Sequence, residues 1–255
     1  MAQISNNTFS KSEVAMPTGF HLLSARFTDP LDCLAAHLLF ESSEVLAGIK
    51  PANLVSLVNR PRSCGRNLYE LWHSHHNEIA SRSGELCFEV LQTKDRSLLL
   101  FCYNAEHLEQ HLSHPGIRAI LAKAGYDIRR NSHDLLSELR SRIESSDTFP
   151  HEIGLFIGYP AKDVVAFMGM VSLPFACQGP WKIYGEARQS LTLADDFRRS
   201  RHEMGRQLAS CDSPFECLNQ TSISHAFYRH RTDNDFHHHS STHGKMKVNG
   251  TLYPA

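Results

Sequence analysis

A stretch interrupted by closely spaced prolines and glycines, from Phe149 to Gly185, constrains the fold more than any other part of the chain. It reads FPHEIGLFIGYPAKDVVAFMGM, then a short connector, then CQGPWKIYGEA. Prolines and glycines recur too closely for one long helix or strand. The first part predicts a short apolar helix from Ile153, a break at Gly158 that permits a positive φ, and a second helix over residues 162–168. This pattern matches a helix-turn-helix hairpin.

The second helix of that hairpin lacks the polar side chains with which a DNA reader contacts base edges. Only Lys162 suits DNA, and the carboxylate of Asp163 opposes it. We therefore interpret the hairpin as structural. The whole chain carries 26 Lys and Arg against 27 Asp and Glu, a net charge of −1, so no general field attracts nucleic acid and we expect no such partner.

The run Trp181-Lys182-Ile183-Tyr184-Gly185 has the aromatic and β-branched character of a short strand. Strand alternation places Lys182 and Tyr184 on one side and Trp181 and Ile183 on the other. A lysine ammonium beside a phenol could hold an anionic or carbonyl ligand. An ordinary edge strand, with the lysine stem lying over its neighbours, explains the same pattern equally well.

Two apolar runs, GELCFEVLQ and RSLLLFCYN, predict a β-hairpin that turns around Lys94-Asp95. With symmetric pairing about that turn, Cys87 lies directly opposite Cys102. Cross-strand cysteines can approach disulfide distance. We expect two small buried hydrophobic side chains here and no redox switch.

Most of the remaining chain has helical periodicity, with apolar stripes near residues 31–46, 64–80, 105–143 and 186–208. We therefore expect a single α+β domain over residues 28–217, with a small, mainly antiparallel sheet that contains the hairpin and the WKIYG strand. Several helices cover this sheet. Residues 1–27 are predicted to form a flexible arm, and residues 218–255 a His-rich flexible tail.

Cysteine usage and hydropathy bear on the compartment. Seven cysteines, without a C-x-x-C pair, favour reduced thiols over a disulfide framework. Cys211 and Cys217 could chelate a metal only if further ligands converged on them. The chain has no signal-peptide pattern and no apolar run of membrane-spanning length, so we expect a cytoplasmic protein without a membrane partner.

Histidine is the compositional outlier, with 17 residues, several of them close to the C-terminus. Among these, His237, His239 and His243 lie in the run HHHSSTH, which binds transition metals readily in almost any conformation. A solvated tail with incidental metal affinity explains the run as well as a biological site does.

His151 and Glu152 follow Pro150 directly. They do not belong to an H-E-x-x-H metalloprotease motif, because Leu155 stands where the second histidine is required. Glu152 can act as a first-turn carboxylate that the helix dipole favours, with His151 as a cap or packed ring. Alternatively, the two side chains are metal ligands or a general base pair.

Three segments in order, AGIKPANLVSL, PHEIGLFIGYPAKDVVAF and CQGPWKIYGEA, resemble the bacterial domain of unknown function 3793 family. The resemblance covers about residues 47–206. The chain departs from the family pattern at Gln178, which separates the cysteine from the following glycine. The resemblance implies a cytoplasmic bacterial protein and brings no activity, catalytic residue or cofactor with it.

Two functions remain open. The first is a pocket near the HEIGLFIGYP and WKIYG segments that binds a small ligand or a transition metal. The sequence identifies no catalytic residue, and its one candidate cofactor is that transition metal. The ligand-binding candidates are Lys50, His151, Glu152, Lys182 and Tyr184; the metal candidates are Cys177, His237, His239 and His243. The alternative is a non-catalytic regulatory or protein-interaction module that uses the helical hairpin, and its signature is a contiguous exposed apolar or basic patch.

Overall fold

The structure is a computed structural model that describes residues 23, 25–146 and 148–221. Most of the predicted arm, and residues 222–255 of the predicted tail with His237, His239 and His243, lie outside the described residues. The helices are α1 (Pro30–Glu41), α2 (Ser43–Leu46), α3 (Leu68–Arg82), α4 (Ala105–Ser113), α5 (Pro115–Lys123), α6 (Ser132–Ser145), α7 (Ile153–Phe156), α8 (Ala161–Phe167), α9 (Arg188–Ser210) and α10 (Pro214–Thr221). The strands are β1 (Ala52–Val58), β2 (Leu86–Lys94), β3 (Ser97–Asn104), β4 (Phe175–Gln178) and β5 (Lys182–Tyr184).

A three-stranded antiparallel sheet of order β1-β3-β2 lies at the centre of the α+β fold. Alternate side chains of β3 enter different apolar cores, as strand geometry requires. Leu98, Leu100 and Cys102 pack with α1, α3, α9 and α10. Phe101 packs on the other face with helices α4 to α8. The predicted class, a small antiparallel sheet with a hairpin covered by several helices, is confirmed.

The hairpin exists, but its predicted register is wrong. Cys87 lies opposite Tyr103, and Cys102 lies opposite Phe88. The turn is centred one position later than predicted, since Lys94 pairs with Ser97. An irregularity between Val90 and Gln92 then shifts the pairing again, because the extra residue of a β-bulge has no partner across the ladder. The two cysteines are therefore not cross-strand neighbours.

One expectation about cysteine chemistry is also wrong. Cys211 and Cys217 form a disulfide between the end of α9 and helix α10, whereas the sequence favoured reduced thiols throughout. Both side chains are buried. The main-chain oxygen of Cys211 also accepts hydrogen bonds from the Arg26 guanidinium, so the segment before α1 is held against the α9–α10 junction.

The helical hairpin and the WKIYG strand form as predicted. Helices α7 and α8 flank a break in which Gly158 has a φ of +79°. The expectation that the hairpin and the WKIYG strand share one sheet is wrong, because β5 pairs with β4 in a separate two-stranded sheet. Ile183 of β5 and Trp181, directly before the strand, pack against Ala194 and Phe197 of α9. Phe167, the last residue of α8, is 42% exposed.

Candidate functional site

Asp163 is the polar centre of the region that the sequence singled out. Its carboxylate is 1% exposed and accepts hydrogen bonds from four groups. These are Lys162 Nζ at 2.7 Å, Trp181 Nε1 at 2.8 Å, the Tyr184 main-chain N–H at 2.9 Å and Ser190 Oγ at 2.6 Å. Burial by itself raises a carboxyl pKa, but these hydrogen bonds outweigh it and hold the pKa of Asp163 below its usual value. The carboxylate thereby connects α8, β5 and α9.

Lys50 lies under the same region and is also buried. Its ammonium donates to Asn53 Oδ1 at 2.9 Å and lies 5.2 Å and 4.9 Å from the ring centroids of Tyr159 and Phe197. Tyr159 in turn stacks on Trp181 at 4.7 Å. The three segments that carry the family resemblance therefore meet in space, through Lys50, Tyr159 and Trp181.

The environment of Lys50 disfavours its charge. Burial lowers the pKa of Lys50 to about 8, and the Arg201 guanidinium adds to this effect, while Glu44 opposes it. Glu44 is itself buried and pairs with Arg201 at 3.5 Å. The cation–π contacts with Tyr159 and Phe197 partly replace the lost hydration of the ammonium. Lys50 is thus enclosed by aromatic rings and lies away from the surface.

Glu152 is held in a different place. Its Oε1 accepts from Tyr126 Oη at 3.1 Å and from the Arg142 guanidinium at 3.3 Å. Arg142 lies over the Tyr126 ring and also pairs with Glu138 at 2.6 Å. Burial, followed by the nearby Glu152 charge, raises the pKa of the Tyr126 hydroxyl well above its usual range. These contacts join α6 to α7, so Glu152 acts as a structural carboxylate.

An open cleft of about 530 Å³ is lined in part by Glu138, the ion-pair partner of Arg142. Its lining is polar apart from one glycine and consists of Gly125, Asp127, Arg130, Asp134, Ser137, Glu138 and Ser141. Small-molecule pockets usually have mostly apolar walls. Lys50, His151, Glu152, Cys177, Lys182 and Tyr184 are absent from this lining, so the cleft is separate from the predicted pocket.

His151 and Lys182 are instead exposed and Tyr184 is half-buried, and each of them contacts an aromatic ring. The His151 and Phe167 rings meet edge to face at 4.8 Å, and Lys182 Nζ lies 5.3 Å from the Phe167 centroid. Tyr184, on the same side of β5 as Lys182, contacts the Phe175 ring at 6.0 Å. Leu173 packs beside Gly185. We call the six residues His151, Phe167, Leu173, Phe175, Lys182 and Tyr184 the exposed aromatic surface.

The apolar members of this surface are open to solvent. Phe175 is 57% exposed, the highest value among the large hydrophobic side chains that the structure describes, and Phe167 is 42% exposed. Met170 and Val171, in the connector between α8 and β4, are similarly exposed. Exposed apolar residues are normal when scattered singly, but a contiguous group is characteristic of interaction sites.

Cys177 lies partly buried against Trp181 and Ile183. Within the described part of the chain, no group of three or more His, Cys, Asp or Glu side chains is arranged to hold a metal ion. The predicted site residues thus separate into a buried lysine at Lys50, a structural carboxylate at Glu152, and the surface group of His151, Lys182 and Tyr184.

Sequence reasoning missed Asp163 as a site residue and treated it only as a charge beside Lys162. It also missed Asn53, Tyr126 and Arg142. A carboxylate on the inner side of a short apolar helix, within the resembling segment, was the available signal for Asp163. No local pattern identifies Tyr126 and Arg142, because their partner Glu152 lies beyond the elements that carry them.

The structure defines an α+β protein with a small antiparallel sheet and an exposed aromatic surface built on an additional β-ribbon. A family model described as "Protein of unknown function (DUF3793)" matches residues 38–218, and the chain belongs to that family. Comparisons with curated proteins and with solved structures find no match. Among the described residues, no helix is both long and apolar enough to cross a membrane.

Proposed function

We propose that this protein is a protein-interaction module, whose exposed aromatic surface binds an extended apolar segment carrying acidic side chains. The observation that carries the proposal is that exposed Phe167 contacts His151 and Lys182. Exposed Phe175 contacts Tyr184, which lies on the same strand as Lys182. Aromatic side chains concentrate at protein interfaces because they bury a large area at small conformational cost.

The charges of this surface select the partner. Lys182 is exposed, and its ammonium lies beside the Phe167 ring, where it can meet a carboxylate at the edge of an apolar contact. Lys162, the preceding lysine in the sequence, is already paired with Asp163 at 2.7 Å. The cationic group of this surface that a partner can reach is therefore Lys182, and complementarity favours an acidic segment.

Strand β4 favours an extended conformation for that segment. In the described part of the chain, β4 pairs only with β5, which leaves its other edge without a strand. Exposed edges accept an additional strand from a partner, with main-chain hydrogen bonds providing affinity and neighbouring side chains providing specificity. Phe175 begins this edge strand, so a segment added to β4 would run alongside the exposed aromatic surface.

The surface is supported by rigid contacts. Asp163 ties β5 to α8 and α9, and Tyr159 stacks between Lys50 and the Trp181 ring. A surface that is ordered before binding loses less conformational entropy on association. Lys50 and Asp163 thus contribute to binding by holding the surface in place, without contacting the partner.

A displayed library of random peptides, selected against the purified protein, tests this proposal. We expect the selected peptides to be rich in apolar residues and in Asp or Glu. The variant Phe175→Ser should lose affinity at least about tenfold, as is typical of a central aromatic contact. The variant Lys182→Glu should shift the selected charge from acidic to basic, which separates recognition from nonspecific adhesion to exposed rings.

Val58→Ser is the matched control, because Val58 is 47% exposed but lies at the end of β1, in the central sheet. This variant should bind the selected peptides as the unmodified protein does. Equal losses in Val58→Ser and Phe175→Ser, or selected peptides whose charge does not respond to Lys182→Glu, would contradict the proposal.

We also propose a cytoplasmic location for this module. Of its seven cysteines, five carry thiols in the structure, and proteins of oxidising compartments usually pair theirs. A fluorescent fusion expressed in the source cells, followed by fractionation, tests this location. Recovery of the fusion outside the cytoplasmic fraction would contradict it.

A further inference from the structure

The two edges of the ribbon formed by β4 and β5 differ in their hydrogen bonding. On the outer edge of β5, the Tyr184 main-chain N–H donates to Asp163 Oδ1 at 2.9 Å, and the Tyr184 main-chain oxygen accepts from Lys162 Nζ at 2.8 Å. Lys162 and Asp163 are consecutive residues in the first turn of α8 and pair with each other at 2.7 Å. Both main-chain groups that Tyr184 turns away from β4 are therefore already bonded.

The two side chains of α8 take the place of a third strand. In an antiparallel ladder, a neighbouring strand bonds one residue through both its N–H and its oxygen and leaves out the next residue. Here the Asp163 carboxylate replaces the acceptor of such a neighbour, and the Lys162 ammonium replaces its donor. By the same alternation, Ile183 faces β4, so Lys182 is the remaining outward-facing residue of β5. Strands usually contain at least about three residues, so one residue offers too little for an added strand.

The edge of β4 is open by comparison. Phe175 lies opposite Tyr184, and two opposite residues of an antiparallel pair turn their main-chain groups both inward or both outward. Those of Tyr184 point to α8, so those of Phe175 point away from β5. The adjacent bond from the Gly185 N–H to the Pro174 oxygen, at 2.8 Å, follows the same alternation. Within the part of the chain that the structure describes, no strand lies beside this edge of β4.

We propose that Lys162 and Asp163 close the β5 edge of the ribbon, so that the protein binds one extended segment, which is added to β4 alone. Lys162 is a positioning residue in this arrangement. It fixes the main chain of Tyr184, and with it the strand that carries Lys182, without contacting the segment. This inference rests on the proposed function, since the segment is the apolar and acidic one described above, and it adds where that segment lies and how many bind.

The closed edge can be measured without any peptide, by amide hydrogen exchange of the full chain followed by NMR. The Tyr184 amide lies on an outer edge but is hydrogen-bonded to Asp163, whereas the Phe175 amide points away from the ribbon. After correction for intrinsic rates, we expect the Tyr184 amide to exchange at least about tenfold more slowly than the Phe175 amide. Equal exchange of the two amides would overturn the proposal.

Titration of the full chain with the most enriched peptide of the library selection then locates the segment. We expect one peptide per chain by calorimetry, slower exchange of the Phe175 amide and unchanged exchange of the Tyr184 amide. Two peptides per chain, or new protection at Tyr184 and not at Phe175, would overturn the proposal and leave the proposed function intact. A selection that enriches no peptide would overturn the proposed function and this binding mode together, while exchange in the free chain would still show whether β5 is closed.

The variant Lys162→Met keeps the length of the side chain but removes the ammonium that Tyr184 and Asp163 share. We expect the peptide to bind about threefold to tenfold more weakly, the effect typical of one lost hydrogen bond. Lys162→Arg should restore binding, because a guanidinium can donate to both oxygens. The exchange measurements use the unmodified chain, so they decide the proposal even if Lys162→Met folds poorly.

Lys94→Met is the matched control, since Lys94 is exposed at the end of β2, in the central sheet. This variant should bind the peptide as the unmodified chain does. Unchanged binding in Lys162→Met, equal losses in Lys162→Met and Lys94→Met, or failure of Lys162→Arg to restore binding would each contradict the role of Lys162.

Discussion

The Trp181 indole donates a hydrogen bond of 2.8 Å to the buried carboxylate of Asp163. This contact joins the strand of the WKIYG run to the second helix of the helical hairpin. In the sequence these are two separate segments. The bond shows that they form one unit, with the exposed aromatic surface on its outer side.

Asp163→Ala should be strongly destabilising. The substitution leaves the donors of Trp181 and Ser190 buried without their acceptor, and the expected loss is about 3–5 kcal/mol of unfolding free energy. Asp163→Asn keeps one acceptor oxygen and should lose less. Urea unfolding followed by tryptophan fluorescence measures both.

Asp195→Ala provides the comparison for Asp163, because Asp195 is an exposed aspartate on α9 that pairs with Arg198. Its stability should stay within about 0.5 kcal/mol of the unmodified chain. A similarly small effect of Asp163→Ala would show that the hydrogen bonds of Asp163 do not hold the hairpin and the ribbon together.

Gly158→Ala should also destabilise the fold. Gly158 has a φ of +79°, and an added Cβ would lie 2.5 Å from Pro51 Cδ. Steric overlap adds to backbone strain, and together they predict a loss of about 2–4 kcal/mol. Gly84→Ala separates the two effects, because Gly84 has a φ of +61° and nothing within 4 Å of an added Cβ. Equal thermal shifts in the two variants would contradict the close approach to Pro51.

Lys50 should make stability rise with pH in the alkaline range. Its pKa is about 8 in the fold, against 10.5 for an ordinary lysine, so between these values the unfolded chain binds more protons. Stability linked to Lys50 therefore increases from about pH 8 to 10.5. Relative to Lys50→Met, the unmodified chain should gain on the order of 2 kcal/mol between pH 7 and 9.5.

Lys182→Met controls for the general effect of removing a lysine, since Lys182 is exposed. Its urea unfolding should follow the pH dependence of the unmodified chain. If Lys50→Met and the unmodified chain also changed in parallel between pH 7 and 9.5, the buried ammonium would not be the source of the effect.

Cys87 and Cys102 should remain unlinked under oxidising conditions. Cys102 is fully buried opposite Phe88, and Cys87 faces Tyr103 across the ladder. Burial also raises the pKa of Cys102 to about 12, so almost no thiolate forms near neutral pH. Peptide mapping after oxidation checks this. Recovery of a Cys87–Cys102 peptide would instead support the symmetric register that the sequence predicted.

Secondary-structure elements could be predicted where the pattern that specifies them lies within a few neighbouring residues. The breaks around Gly158 and the alternation of Trp181 and Ile183 with Lys182 and Tyr184 were correctly interpreted, because turns and strand faces depend on neighbouring residues. The hairpin register was not, since the turn is centred one position later than predicted and the irregularity between Val90 and Gln92 then shifts the pairing again. Local patterns rarely reveal such a bulge, which depends on how both strands fit the cores on either side.

The sequence by itself determined the α+β class, the helical hairpin, the short β-ribbon strand and the family. Each rests on hydrophobic periodicity, on glycine and proline, or on motifs confined to one segment. Only the tertiary structure decided that Lys50 and Glu152 are enclosed, while His151 and Lys182 share the Phe167 ring. The physical reason is that burial and pairing depend on contacts between segments distant in the chain, and residue type alone does not specify those contacts.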